Sequence, residues 1–360
     1  MNDRMGRMTA SMEASGIDAM IVTKQANQRY LEGFTGNDCY LIVSKRGNFL
    51  FADSRYTEMA HRECQNAEIV PHRHPHPPLE TVMAKVASEQ GFRRMGFEGG
   101  HMTFDLHAAI AEKLSRENIE TVSVSSMIEK IRAHKDPGEI GKIAAACRIA
   151  DIALKETLKT IKSGVSELDL KIELEYKLKT CGADDAGFDA MVLFGGRSSQ
   201  PHANSSRETK LASGDFILID YGAMSDGYRS DTTRTFVFGR ASDGQKRAYA
   251  TVLAAQRESA AMLKAGANGR EINDRALRII RDAGFPAFDY GIGHGVGLEI
   301  HEEPFMRQNT DVILEAGNVL TIEPGTYSPG WGGIRIEDTI LVTENGAEIL
   351  TSFPKELTEI

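Results

Sequence analysis

The chain is poor in the features that mark several protein classes. No apolar run approaches the ~20 residues needed to cross a bilayer, so no spanning helix is expected in its 360 residues. Cysteine is scarce: Cys39, Cys64, Cys147 and Cys181 are scattered with no C-x-x-C pair. That excludes a disulfide framework and a thiolate zinc site, and it fits free thiols in a reducing cytoplasm. Any metal must then be held by oxygen and imidazole. Positive charge is in deficit, with 42 Lys and Arg against 51 Asp and Glu and a net charge of −9. An acidic chain is a poor partner for nucleic acid or an anionic membrane, which need a basic face. There is no internal repeat and no low-complexity tract.

What remains is globular in composition, 41% hydrophobic and 26% charged. Its length exceeds one ordinary core and suggests two domains. Met5, Met8 and Met12 lie at helical spacing among charges, which reads as an amphipathic helix and not as a secretory signal. Short β-rich runs at 18–23, 40–44, 48–51, 94–97 and 120–124 alternate with helical stretches at 55–62 and 79–89. This predicts a small α/β domain with a mixed sheet. At 131–139 the sequence turns polar, and Pro137 disfavours helix at Asp136. We place the boundary there, giving domains 1–135 and 136–360. The second domain reads as helices (140–161, 167–180), a hairpin from residue 215, helices (242–264, 269–283), then further strands, an α+β order.

Acids interrupt the apolar strands of this second domain. Asp220 follows Phe216-Ile217-Leu218-Ile219. If 224–227 form a four-residue loop, Asp220 stands opposite Asp231 on the other arm. Two carboxylates ~4 Å apart repel by roughly 4 kcal/mol at an effective dielectric near 20, and like charges across a sheet weaken pairing. A cation between them removes that penalty; the alternative is one protonated member. Glu323 closes NVLTIE, and Glu337 sits inside IRIEDTILVT. Charged residues are rarely buried unless paired, so these acids ask for a common cation. His294 lies among Gly291, Gly293, Gly295 and Gly297, where a bound group could approach the backbone closely. Four carboxylates and one imidazole suit Mn²⁺, Co²⁺, Fe²⁺ or Zn²⁺, and their negative charge suits two ions better than one. Two such ions can polarise a carbonyl and activate water near neutral pH.

These residues resemble the pita-bread metallopeptidases, the superfamily of methionine aminopeptidase, aminopeptidase P and prolidase. The resemblance rests on Gln200-Pro201-His202, Asp220-Tyr221-Gly222, Ser230-Asp231-Thr232-Thr233-Arg234-Thr235, Gly293-His294-Gly295-Val296-Gly297, His301-Glu302-Glu303-Pro304, Glu323-Pro324-Gly325 and Arg335-Ile336-Glu337-Asp338. They fall in family order between about 137 and 350. YLEGFTG at 30–36 and DSRY at 53–56 resemble the N-terminal domain of the proline-specific, creatinase-like members. The resemblance implies a pita-bread catalytic domain in which Asp220 chelates one metal, His294 and Glu323 the other, and Asp231 and Glu337 bridge both. It implies carbonyl or oxyanion contacts from His202 and His301, a proton shuttle at Glu323, and substrate-pocket places for Phe188 and Arg335. Two divalent ions, manganese first, proline-containing peptides as substrates and a homodimer follow from the same likeness.

The implied reaction is hydrolysis of an Xaa-Pro bond, a tertiary amide without an N–H. Some prolidases place an arginine directly after the HExP segment to hold a dipeptide's carboxylate. Here Pro304 is followed by Phe305-Met306, and the nearest candidate is Arg307. That favours Xaa-Pro aminopeptidase action over prolidase action, with the dipeptidase or a small-amide hydrolase on the same fold as alternatives. A non-catalytic binding module is disfavoured because all the ligand positions are kept. HRHPHPP at 72–78 reads as an exposed loop, and Trp331 as a pocket-mouth or loop-packing residue.

Overall fold

The structure is a computed structural model that describes residues 2–360. The chain forms two compact units, Met1–Arg132 and Ala133–Ile360. Among the described residues no helix is long and apolar enough to cross a membrane.

The first unit holds a six-stranded sheet in the order Ala67–Pro71, Asn48–Ala52, Tyr40–Ser44, Ala19–Val22, Arg94–Glu98, Glu120–Val124. The Tyr40–Ser44 strand is antiparallel to both neighbours, and the other pairings are parallel. The sheet is thus mixed, as the alternating pattern predicts. Its core joins Ile21, Ile42, Phe49 and Phe51 to Leu79, Met83 and Ala87 of the Leu79–Glu89 helix. The first helix, Asn2–Ala14, buries Met8 and Met12, the expected apolar stripe. The 72–78 loop departs from expectation at His72, which is 5 % exposed; His74 and His76 face solvent.

The second unit repeats one plan twice. Helices Pro137–Leu158 and Glu167–Thr180 cover a three-stranded sheet of Thr232–Val237, Phe216–Tyr221 and Met191–Phe194. Helices Asp243–Ala261 and Gly269–Asp282 then cover a five-stranded sheet built around Gly293–Gly295, Val319–Ile322 and Asp338–Val342. Asp136 does not merely precede the first of these helices. Its carboxylate accepts the Glu139 N–H at 2.9 Å while Glu139 accepts the Asp136 N–H at 2.9 Å, a capping box that Pro137 prepares.

The hairpin register differs from the expected one. Ser225 pairs with Tyr228 and Met224 with Arg229, so the turn has two residues, Asp226 and Gly227, with φ of 47° and 77°. Positive φ at both central positions is the mirror-image turn that Asp-Gly favours, because its twist matches that of the strands. The tighter turn shifts the pairing by two residues, and Asp220 lies opposite Thr233 instead of Asp231. A two-residue shift preserves side-chain parity.

A candidate active site between two sheets

Side chains of a strand alternate between faces, and in both sheets one face is taken by the helices. Ile217, Ile219 and Tyr221 join the helical core, which leaves Leu218 and Asp220 on the opposite face. Across the ladder, Thr233 and Thr235 pair with Asp220 and Leu218 and share that face. In the second sheet Leu320, Ile322 and Ile340 join the helical core. Thr321, Glu323, Glu337 and Thr339 therefore point the other way, and Thr321 pairs with Thr339. His294 pairs with Phe305 on the same side. The alternation that builds two apolar cores thus turns Asp220, His294, Glu323 and Glu337 away from those cores.

The donors converge. One ligand atom each from Asp231, His294 and Glu337 lies within 4.8 Å of the others. His294 Nε2 is 3.2 Å from Glu323 Oε1 and 3.6 Å from Asp231 Oδ2. Asp231 is 5 % and Glu337 1 % exposed. Burial, followed by the charges of Glu337, Asp220 and Glu323, pushes the Asp231 carboxyl well above the usual carboxylate range. Burial, then Glu323 and Asp220, does the same to Glu337. Asp220 is also raised, by burial, although Arg335 opposes the shift. His294 behaves differently. Burial disfavours its imidazolium, yet hydrogen bonding and charge from Glu323 outweigh that and raise it. Glu323 is correspondingly lowered, its burial outweighed by His294.

Two carboxylate oxygens of this cluster have no partner within the protein. Asp220 Oδ1 and Glu337 Oε1 are buried without a hydrogen-bond partner. A buried acceptor left unpaired costs about 1–3 kcal/mol, more when charged. Their partner oxygens are taken, Glu337 Oε2 by the Thr233 hydroxyl at 2.6 Å and Asp220 Oδ2 by the Arg335 guanidinium. The free oxygens sit in a hard-donor set that suits divalent cations, so the residues present fit a metal centre. Among the described residues no other group of three or more His, Cys, Asp or Glu has this geometry.

All nine residues singled out from the sequence line one cavity of about 180 Å³: Phe188, His202, Asp220, Asp231, His294, His301, Glu323, Arg335 and Glu337. A second cavity of about 520 Å³ shares His202, His294, His301, Glu323 and Arg335 with it. Phe288, Tyr290, Phe305, Tyr327 and Arg307 wall this second space. Phe288 meets Tyr327 edge-on at 5.3 Å. The guanidinium of Arg307 lies 4.3 Å over the Phe305 ring and 5.6 Å from that of Tyr290.

Several particulars differ from the sequence reading. Arg335 is a framework residue as well as a lining one. Its Nε donates to Thr233 Oγ1 at 2.9 Å, and its Nη1 to the Tyr327 hydroxyl at 2.7 Å and to the Pro201 carbonyl at 3.4 Å. It therefore ties Asp220 to the segment that carries His202. The glycines around His294 bring backbone to backbone instead of backbone to ligand: a Cβ on Gly293 would overlap the Thr321 carbonyl, and one on Gly295 the Glu303 carbonyl. Trp331 packs edge-on against Phe216 at 5.0 Å and lines neither cavity. Sequence reasoning missed the threonine supports and the aromatic wall. A period-2 reading finds Thr233 and Thr321, each two residues from a candidate ligand; the aromatics come from irregular loops with no such signal.

A pita-bread fold with a carboxylate–imidazole centre facing a cavity defines the class, a metal-dependent hydrolase. Residues 141–344 match the metallopeptidase family M24, and residues 4–134 match the creatinase/prolidase N-terminal domain; the chain belongs to metallopeptidase family M24 and is a metallopeptidase. It is 33% identical to a Xaa-Pro dipeptidase of Pyrococcus horikoshii, over 99% of each chain. Among solved structures it is similar to a Xaa-Pro dipeptidase from Bacillus anthracis, with a TM-score of 0.95, 37% identity and 99% of each chain covered. It is also similar to an X-Pro aminopeptidase from Thermotoga maritima, with a TM-score of 0.90, 31% identity and 99% of each chain covered.

Proposed function

We propose that the protein is a two-metal dipeptidase that hydrolyses Xaa-Pro dipeptides. One observation carries this reading: the donor cluster opens into an aromatic cavity that also contains Arg307. Among the described residues Arg307 has no carboxylate partner, and its guanidinium is steadied by Phe305. A guanidinium presents two parallel donors to a carboxylate, which suits a substrate that ends at proline. The sequence argument favoured longer peptides because Phe305 follows Pro304. The fold lets Arg307, two positions later, line the cavity. The dipeptidase relatives support the same choice.

Asp220, Asp231, His294, Glu323 and Glu337 would hold the two divalent ions, with Asp231 and Glu337 shared between them and manganese as the proposed metal. Bound ions of this kind supply carbonyl polarisation and a water acidic enough to act near neutral pH. The chain's own groups do the rest. The His202 and His301 imidazoles, which line both cavities, donate to the scissile carbonyl oxygen as it gains charge. Glu323 takes up the proton released as water adds to the carbonyl carbon and delivers it to the proline nitrogen as the C–N bond breaks, leaving the Xaa carboxylate and free proline. The ring of proline packs on the aromatic wall, and its missing N–H leaves no donor to satisfy there.

A substrate panel with Mn²⁺ tests this. Ala-Pro is expected to be hydrolysed with kcat/KM about tenfold to 100-fold above that of Ala-Pro-Ala, the value of a charge-assisted hydrogen bond of ~1.5–3 kcal/mol. Ala-Ala-Ala should not be cleaved. Preference for Ala-Pro-Ala would give the activity to the X-Pro aminopeptidase reading, which the Thermotoga maritima likeness favours. Arg307→Ala should raise KM for Ala-Pro about tenfold or more while the ratio of Ala-Pro-Ala to Ala-Pro hydrolysis rises. An unchanged ratio would remove Arg307 from substrate binding.

A further inference from the structure

An ion pair outside the roles assigned so far lies almost wholly enclosed beside the site. Lys135 Nζ is 2.7 Å from Glu302 Oε1, and the two side chains are 1 % and 2 % exposed. Enclosed ion pairs are weak devices for stability, because an apolar pair of similar volume often serves as well or better. What this one does is fix position. The Lys135 N–H donates to the Gly317 carbonyl at 2.9 Å, His134 bridges to Asn318, and Asn318 Nδ2 donates to the Ala133 carbonyl at 3.0 Å. Lys135 is thereby fastened at the start of the strand that leads to Glu323. At the other end, Glu302 directly follows His301 and pairs with Gly295, next to His294. Gly297 leaves the space that the carboxylate occupies, since a Cβ there would overlap Glu302 Oε1.

The His301 ring needs such help. It is exposed, and among the described residues no hydrogen bond holds it; its ring contact is with His294, 4.3 Å away at 65°. Its direction is set by its backbone, and the next residue along that backbone is Glu302. We infer that the Lys135–Glu302 pair is a positioning element that sets the His301 imidazole toward the cavity. Its loss therefore lowers turnover while metal and substrate still bind. The turnover effect rests on the role given to His301 above; the orientation of the ring does not.

Two variants and two readouts test this. Glu302→Gln keeps the shape and an acceptor for Lys135. Lys135→Met with Glu302→Leu replaces the pair by apolar groups. Turnover of Ala-Pro should fall about tenfold in the first and about 10²-fold in the second, the scale of an ångström-sized displacement of a reacting group. KM should stay within about twofold, and metal content by elemental analysis should be unchanged. In the double variant the melting temperature should be held or raised. Its recovery together with wild-type turnover would overturn the inference. The second readout is the His301 ring resonance in ¹⁵N-edited NMR of the metal-free protein, which should shift in Glu302→Gln. An unmoved His301 signal would also overturn it. Wild-type protein that cleaves no Xaa-Pro peptide would defeat the dipeptidase reading, while the NMR result would still decide this one.

Discussion

Asp231→Asn is expected to lower turnover by about 10³-fold, the upper range for removing one charge-stabilising group from an active site, and to lower bound metal with it. Asp231 contributes one of the three most closely gathered donor atoms and stands 3.6 Å from His294 Nε2. An amide offers the same shape without the charge. The less obvious half of the prediction concerns stability. In metal-free protein the Asp231 carboxylate faces Glu337, Asp220 and Glu323, so removing its charge relieves repulsion. Metal-free Asp231→Asn should then melt higher than metal-free wild type, while the loaded wild type melts highest. A ligand present at 1,000 times its dissociation constant stabilises by about 4 kcal/mol. Calorimetry and elemental analysis of both proteins, with and without chelator, measure the pattern. Full metal content in the variant would sink the ligand role. A lower melting point for the metal-free variant would sink the electrostatic account.

Metal-stripped wild type is expected to become more stable as pH falls from neutrality toward about 5. Asp231 and Glu337 both have folded-state pKa values raised well above ordinary, through burial and then their acidic neighbours. A carboxyl raised in this way contributes stability that is fully present below its unfolded value, about 4. That stability is lost as pH rises through the folded value. Carboxylates with lowered values oppose the trend at lower pH, among them two whose burial is outweighed by their partners. Glu323 and Asp338 are held below their ordinary values against burial, by His294 and by Arg234 and Lys355 respectively. Their contribution is present above the unfolded value and lost as pH falls through the folded one. The optimum of the stripped protein should thus lie on the mildly acidic side. Loaded protein should show the opposite slope over the same range, because its ligands must stay deprotonated and acid releases the metal. Urea unfolding at pH 5, 6, 7 and 8 with and without chelator reads both slopes. Equal slopes would mean that the carboxylates are not competing for a cation.

The sequence showed the elements of both units well because their apolar periods are clean. Leu79–Glu89, Glu167–Thr180 and Tyr40–Ser44 lie where the pattern puts them. Ala67–Pro71 escaped notice, since a half-exposed edge strand with a glutamate and a proline carries little periodic signal. The hairpin register was misread at the turn: the Asp-Gly step outweighed a longer loop. Parity survived that error, which is why Asp220 and Asp231 still reach one cavity. The acidic candidates stood out because an acid in an apolar strand is anomalous by itself. The role of Arg335 as a brace was not, because its partners Pro201, Asp220, Thr233 and Tyr327 come from four separate segments and only the fold brings them together.

The doubled plan of the second unit has a consequence for how the enzyme fails. Asp220 and Asp231 come with the first helix–sheet half, and His294, Glu323 and Glu337 with the second. On the proposed ligand assignment neither half would own a complete coordination sphere, so a bound metal centre would act as a rivet added to the contacts that already join the halves, such as Arg234–Asp338 and Thr233–Glu337. Catalysis then reports on the less durable layer. Inactivation on heating or in mild denaturant should begin when either layer loosens, ahead of any global loss of helix signal.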